Sequence, residues 1–301
     1  MLTTGIIGAG NVGANAAFFL AERNVGPVVV RDVEEGRATG KMLDIMEAAP
    51  LGRYHFPVRG TDSEQEVLDS DVLLVAAGAT RVAGASRESL LAENRPLISG
   101  LAGQLKGFGG VVVVATEPVD AMVTLLVREA GLDSKRVMGL GGCLDVARMR
   151  FCISRELGCA VEDVDAMAVG RHDSDIIIPL SYSKVSGIPV EHLLSAETCR
   201  GLVEEVRGAG ERIVEQSGRS AAFYAPAAVA ADVIEAVVRD SGRVLSVSSV
   251  LDGQLDARGV ALSLPAMIGA EGIRRILEPK LAGAERKAFA QSASAVAELV
   301  G

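Results

Sequence analysis

A chain of 301 residues with 39 acidic and 30 basic side chains carries a net charge of −9. That balance excludes a nucleic-acid binder, which needs a surplus of Lys and Arg against phosphate, and a protein that docks on an anionic membrane surface. With 49% hydrophobic and 23% charged residues the chain is globular rather than disordered, and its length suits about two domains of ~150 residues.

The apolar residues are dispersed. Runs such as Val111 to Ala115 fall far short of the ~20 residues a membrane-spanning helix needs. No basic residue precedes the first strand-like run, so no signal peptide is expected. Cys143, Cys152, Cys159 and Cys199 form no C-x-x-C pair and have no His at metal-ligand spacing. They read as reduced thiols in a cytoplasmic protein, with no metal site.

In chain order, Thr4 to Ile7, Val28 to Val30, Val72 to Ala76, Val111 to Ala115 and Val137 to Leu140 are strand candidates. Their apolar runs are continuous rather than alternating, as suits strands buried on both faces of a parallel sheet. Helical patterns lie between them, at Val12 to Glu22 and Arg87 to Leu105. This alternation predicts a doubly wound (Rossmann) α/β sheet with right-handed crossovers. Residues 143–301 then read as an α+β substrate domain following a dinucleotide-binding domain at 1–142. Asp145 to Leu157 reads as a helix, and Val164 to Ala168 and Ile176 to Ile178 as strands. Arg200 to Gln216 reads as one exposed amphipathic helix, and Ala225 to Arg239 as a better-buried one. Val244 to Val250 and Val260 to Pro265 read as hairpin strands, and Ala284 to Val300 as a terminal helix. With no linker between the halves, close packing of the two is expected.

Gly8-Ala9-Gly10-Asn11-Val12-Gly13 is a G-x-G-x-x-G motif between a predicted strand and a predicted helix, the context that gives it meaning. Gly8 permits the tight turn, Gly10 the approach of a pyrophosphate, and Gly13 close packing of helix on strand. The helix N-terminus supplies amide donors and a positive dipole end. Asp32, about 20 residues past the motif, is placed to accept hydrogen bonds from the adenosine ribose. A carboxylate there repels a 2′-phosphate, so NAD is favoured over NADP, a preference that the adjacent Arg31 weakens slightly.

Arg81 and Arg87 flank Gly84 in a segment that follows the Val72 to Ala76 strand. By itself this segment reads equally as a mobile loop that folds guanidinium groups over an anion or as a surface loop with solvated arginines. Asp145 and Arg148, at i and i+3, read by themselves as a helix-surface ion pair. Of the three histidines, His55 and His192 lie in polar surroundings, while His172 follows a strand candidate.

Taken together, these segments resemble the malate/lactate dehydrogenase family, most closely the lactate-dehydrogenase-like malate dehydrogenases. The similarity runs nearly end to end. It includes Gly8 to Gly13, Asp32, Gly40 to Asp44, the Arg81/Arg87 loop, Asn94, Thr116 to Asp120 and Leu144 to Arg148, then Tyr182 to Glu191, Tyr224 to Ala228 and Leu251 to Gly253. The resemblance implies an NAD-dependent enzyme of the tricarboxylic acid cycle that transfers hydride between malate and oxaloacetate. It implies that Arg81 grips the distal carboxylate of a small dicarboxylic acid, that Arg87 polarises the carbonyl, and that Arg148 clasps the C1 carboxylate bidentately. His172 is the implied acid/base and Asp145 its orienting carboxylate, which raises the imidazole pKa toward the working pH. Asn94 and the backbone of Ala115 and Thr116 join Gly8, Ala9, Gly10, Asn11, Val12, Gly13 and Asp32 in holding the cofactor. Relatives assemble as homodimers or homotetramers.

Two departures fall at the centre of this implied site. Thr116-Glu117-Pro118 stands where the family has Thr-Asn-Pro, so a carboxylate replaces an amide beside both substrate and nicotinamide. Gly170-Arg171-His172-Asp173-Ser174-Asp175 departs from a His-Gly-Asp core and places one extra residue before Pro179. The coincidence suggests that Arg171 neutralises Glu117. Another 2-hydroxyacid dehydrogenase with an altered substrate, or a catalytically silent NAD-binding homologue, are the alternatives that these departures leave open.

Overall fold

The computed structural model describes residues 1–79, 86–217 and 221–301, without the side chain of Arg87. Its first half is a parallel sheet, as the unbroken Val, Ile and Leu runs require. Strands β1 (Thr4–Ile7), β2 (Val28–Arg31), β3 (Val58–Gly60), β4 (Val72–Val75), β5 (Val111–Val114) and β6 (Val137–Gly139) lie side by side in the order β3-β2-β1-β4-β5-β6. All of these pairings are parallel, with Thr4 opposite both Val28 and Val72. The winding reverses between β1 and β4, which opens a crevice at their carboxyl ends.

Alternate residues of each strand face opposite layers. Val72 and Leu74 pack with Leu20, Ala230 and Ile234, from the helices Asn11–Glu22 and Tyr224–Val238. Leu73 and Val75 pack with Ile98 and Met122, from the helices Arg87–Gln104 and Val119–Ala130 on the other face. Every residue of β4 and β5 is buried, which explains why these runs carry no polar alternation.

The second half begins with the helix Gly141–Leu157. A small antiparallel sheet follows, formed by β7 (Val164–Asp165), β8 (Lys184–Val185) and β9 (Ile188–Pro189). Then β10 (Val244–Asp252), β11 (Arg258–Gly269) and β12 (Gly272–Ile276) join the large sheet antiparallel, with Ser248 of β10 opposite Gly139 of β6. A nine-stranded sheet therefore runs through residue 142 and stitches the halves together. The terminal helix Gly283–Val300 covers it through Phe289 and Val296.

Three expectations need correction. The Val164 to Ala168 strand shrinks to two residues, and Ile176 to Ile178 makes only the bridge from Val169 to Ile177. Ile176 and Ile178 are apolar because they bury against Met149 and Leu202, not because they are central strand residues. The single helix read over 200–216 is two, Ala196–Arg207 and Ala209–Ser217, broken at Gly208, a residue of low helix propensity. The helix Arg37–Glu47 and the short strand β3 lie outside the elements expected from the sequence. Among the described residues, no helix is long and apolar enough to cross a membrane.

The turn after β1 depends on Gly13. A Cβ there would lie 1.9 Å from the Gly8 carbonyl oxygen, whereas one at Gly10 meets nothing within 4 Å. Gly13→Ala is expected to destabilise the protein by about 1–3 kcal/mol in urea unfolding, while Gly10→Ala unfolds at the wild-type midpoint. Equal effects at the two positions would contradict this packing.

Candidate active site

The crevice between β1 and β4 opens into a cleft lined by both halves of the chain, including Val12, Thr116, Glu117, Asp145, Arg148 and His172. At one end, Gly8 adopts φ +103°, and a Cβ there would meet the Ala77 backbone at 2.7 Å. The helix that follows starts at Asn11 with Gly10 as its cap and no side-chain capping bond. Its first-turn amides and dipole end are thus available to an anion. Asn11 itself is exposed, and Ala9 is fully buried.

Asp32 closes this end. Its Oδ2 accepts from the Ala9 amide at 2.7 Å and its Oδ1 from the Glu34 amide at 3.0 Å, with Arg37 Nη1 3.5 Å away. Burial pushes the Asp32 carboxyl up, but those amides and the Arg37 charge outweigh it and hold it below the usual carboxylate range. An ionised acid at this position could accept hydrogen bonds from the ribose of an unphosphorylated dinucleotide. The open space beside Gly10 and the uncapped helix end could hold a pyrophosphate.

Asn94 is 1% exposed and works as a strut. Its Oδ1 accepts from the Ala79 amide at 2.7 Å, and its Nδ2 donates to the Glu117 carbonyl at 2.7 Å. Gly78, at φ +142°, is where this strut fits: a Cβ would stand 2.7 Å from Asn94 Oδ1 and 2.9 Å from Thr116 Cγ2. The Thr116 hydroxyl donates to the Ala77 carbonyl at 2.6 Å. Asn94 therefore bears on the cleft through the backbones of Ala79 and Glu117, beside Ala115 and Thr116.

At the other end, Gly170 pairs backbone to backbone with Ser263 of β11, which delivers His172 to the cleft. The His172 amide donates to Asp120 Oδ2 at 2.8 Å, and the Ser248 hydroxyl donates to Asp120 Oδ1. Asp120 is 3% exposed, and burial pushes its carboxyl up to about 6 against both of these bonds. The ring is held separately. Its Nδ1 lies 2.6 Å from Asp145 Oδ2, and Asp145 Oδ1 lies 3.4 Å from Arg148 Nη1. Asp145 and Arg148 sit on the helix that starts at Gly141, where a Cβ would come within 2.4 Å of the Ser263 hydroxyl. The i, i+3 pair that read as a surface bridge is thus turned inward, with the Asp145 side chain 3% exposed and that of Arg148 16% exposed.

Glu117 does not meet Arg171. The Arg171 guanidinium bonds Asp175 twice, at 3.2 and 3.0 Å, and approaches Asp173 at 3.8 Å. The extra residue lets this loop close on its own charges, so the compensation expected from the sequence is absent. Glu117 instead brings Oε1 to 3.5 Å from His172 Nε2. Burial works against charge on the imidazole, but the carboxylates of Asp145 and Glu117 outweigh it and raise His172 to about 9. Arg81 and the Arg87 side chain lie outside the described residues.

Asp120, Ser248 and Arg207 were not assigned roles from sequence. Asp120 was visible as the one acid in the first turn of the helix Val119–Ala130, ahead of an apolar run. Arg207, with Gly210 and Glu211, reaches the cleft because the helix breaks at Gly208. Ser248 left no signal beyond a serine-rich strand.

A family profile described as the NAD-binding domain of lactate/malate dehydrogenases matches residues 3–139, and one for the α/β C-terminal domain matches 143–299. A malate dehydrogenase of Thermomicrobium roseum is 40% identical over 298 residues, which is 98% of this chain and 96% of its own. One of Heliobacterium modesticaldum is 35% identical over 98% of this chain and 96% of its own. Among solved structures, Cryptosporidium parvum malate dehydrogenase superposes with a TM-score of 0.96 at 30% identity, covering 99% of this chain and 98% of its own. The lactate dehydrogenase of the same organism, complexed with lactic acid and nicotinamide adenine dinucleotide, gives 0.95 at 28%, covering 99% and 96%.

The charge on His172 has a thermodynamic consequence. An imidazole whose proton affinity is raised on folding contributes stability that is complete below about pH 6.5 and is lost as pH rises through about 9. Asp120, also raised, loses its contribution in a separate window between pH 3.8 and about 6. Urea unfolding should show wild type losing roughly 1–3 kcal/mol relative to His172→Asn between pH 6.5 and 9. Parallel pH profiles for the two proteins would contradict a charged His172.

Proposed function

The chain belongs to the lactate/malate dehydrogenase family, and on that premise we propose that it is an NAD-dependent malate dehydrogenase, interconverting malate and oxaloacetate. The observation that carries this reading is His172 held against Asp145 and beside Arg148, in one cleft with Val12, on the first turn of the helix that follows the glycine turn. The malate dehydrogenase relatives, similar along almost the whole chain, support the same substrate pair.

Bound NAD accepts or returns the hydride. The first-turn amides at Gly10 to Val12 hold its pyrophosphate and Asp32 its ribose. Ala115 and Thr116, with Asn94 behind them, support the nicotinamide end. His172 Nε2 takes the hydroxyl proton during oxidation and returns it during reduction. Asp145 keeps Nδ1 protonated and stabilises the imidazolium, and Arg148, held by that same acid, receives the C1 carboxylate. Apolar Val12, Leu140, Leu144 and Val214 line the cleft and limit water around the transfer. By the family resemblance, Arg81 takes the distal carboxylate and Arg87 polarises the carbonyl.

A second reading is favoured by one observation: the Glu117 carboxylate stands at Nε2, where oxaloacetate would bring two negative charges. A 2-oxo acid with a less negative side group suits that position better. We place the enzyme in the cytoplasm, in the tricarboxylic acid cycle, as a homodimer or homotetramer. The four cysteines without disulfides support the first.

NADH oxidation followed in parallel with oxaloacetate, pyruvate and other 2-oxo acids tests the substrate. Oxaloacetate is expected to be fastest, and Arg81→Gln to lower its turnover far more than that of pyruvate. Equal losses on both substrates, or a faster rate with pyruvate in wild type, would contradict the assignment.

A further inference from the structure

The His172 ring has a carboxylate at each nitrogen. Asp145 Oδ2 lies 2.6 Å from Nδ1, and Glu117 Oε1 lies 3.5 Å from Nε2. The first is the pairing an acid/base histidine needs. The second stands on the nitrogen that faces the cleft, at a position where the family resemblance implies a neutral amide. Glu117 is anchored there from below: its Oε2 accepts from the Val119 amide at 3.3 Å, and its carbonyl accepts from Asn94. Its side chain is 32% exposed and that of His172 10%, so solvent screens their attraction only in part.

Resting on the dehydrogenase reading, we propose that Glu117 is a positioning residue that keeps the proton on His172 Nε2, poising the enzyme to reduce a 2-oxo acid at neutral pH and confining efficient hydroxy-acid oxidation to alkaline solution. In reduction, the Nε2 proton passes to the carbonyl oxygen as hydride from the reduced nicotinamide reaches the carbonyl carbon. The product is the hydroxy acid, and the imidazole regains its proton from solvent. In oxidation, the hydroxyl O–H bond breaks toward Nε2 while hydride leaves the same carbon for the oxidised nicotinamide. That direction needs a neutral Nε2, the form an adjacent carboxylate disfavours.

Among the described residues, other charges lie around the cleft that holds the ring. Asp145 and Arg148 project from the Gly141–Leu157 helix, and Asp120 from the start of Val119–Ala130. Arg171 and Asp173 share the His172 loop, and Arg207 and Glu211 also line the cleft. Arg148 opposes the imidazolium, while Asp145 and Glu117 favour it, and the balance leaves His172 well above its ordinary value. Arg171 adds little to the opposition, because Asp175 and Asp173 hold it.

With three histidines in the chain, the His172 ring can be followed by nitrogen NMR on the full chain, without and with saturating NADH, using His172→Asn for assignment. Glu117→Gln and Glu117→Asn are expected to lower the proton affinity of His172 at least tenfold, about 1.4 kcal/mol, and to leave His55 and His192 unmoved. The pH at which kcat/KM for hydroxy-acid oxidation levels off should fall with it, a change that a loss of packing alone would not produce. A change under threefold in both variants would overturn the proposal. A lowered midpoint in variants of a protein that oxidises no 2-hydroxy acid would support the Glu117 assignment while contradicting the dehydrogenase reading.

Discussion

The contact between His172 Nδ1 and Asp145 Oδ2 is the interaction on which the rest of the site depends. It is a charge-assisted bond in a nearly dry setting, where one partner alone would be costly to bury. Asp145 also reaches Arg148, so a single carboxylate aligns the group that moves the proton and the cation beside it. His172 and Asp145 are 27 residues apart in sequence. They meet because β11 pairs with the Gly170 segment while the Gly141–Leu157 helix starts against the same strand, at Ser263.

That meeting is built into the sheet. Had the parallel half ended at β6, the second half would sit on it as a separate body. Instead β10 pairs with β6 at Ser248 and Gly139, and Ser248 turns its hydroxyl onto Asp120, which holds the His172 amide. A buried acid thus links β10, the Val119–Ala130 helix and the histidine loop. The glycine turn after β1 and the His172 loop are thus tied to one sheet, through β1 and through β10 and β11.

Much of this was legible in the residues because its causes are local. Continuous apolar runs mark strands covered on both faces, and β1, β4 and β5 follow them closely. Gly8, Gly10 and Gly13 are readable because each satisfies a distinct steric demand within six residues. The helix break at Gly208 was not readable, since one glycine costs a helix only about 1 kcal/mol and packing decides the outcome. The Ile176 to Ile178 run misled because burial by helices and burial in a sheet leave the same apolar trace. Asp145 and Arg148 read as a surface pair because i, i+3 spacing carries no information about which way a helix faces. The expected Arg171–Glu117 pair failed for a related reason: Asp175, four residues on, competes for Arg171 at short range, and sequence could not rank the two acids.

Glu117 is where this chain parts from the arrangement its resemblance implies, and its effect is electrostatic rather than architectural. The cleft, the glycine turn and the Asp145 contact are all intact around it. The most direct measurement of the central claim is single-turnover hydride transfer by Asp145→Asn, with NADH and the 2-oxo acid that wild type reduces fastest. Transfer at least 100-fold slower, with NADH binding unchanged, is the predicted result; transfer within threefold of wild type would contradict it.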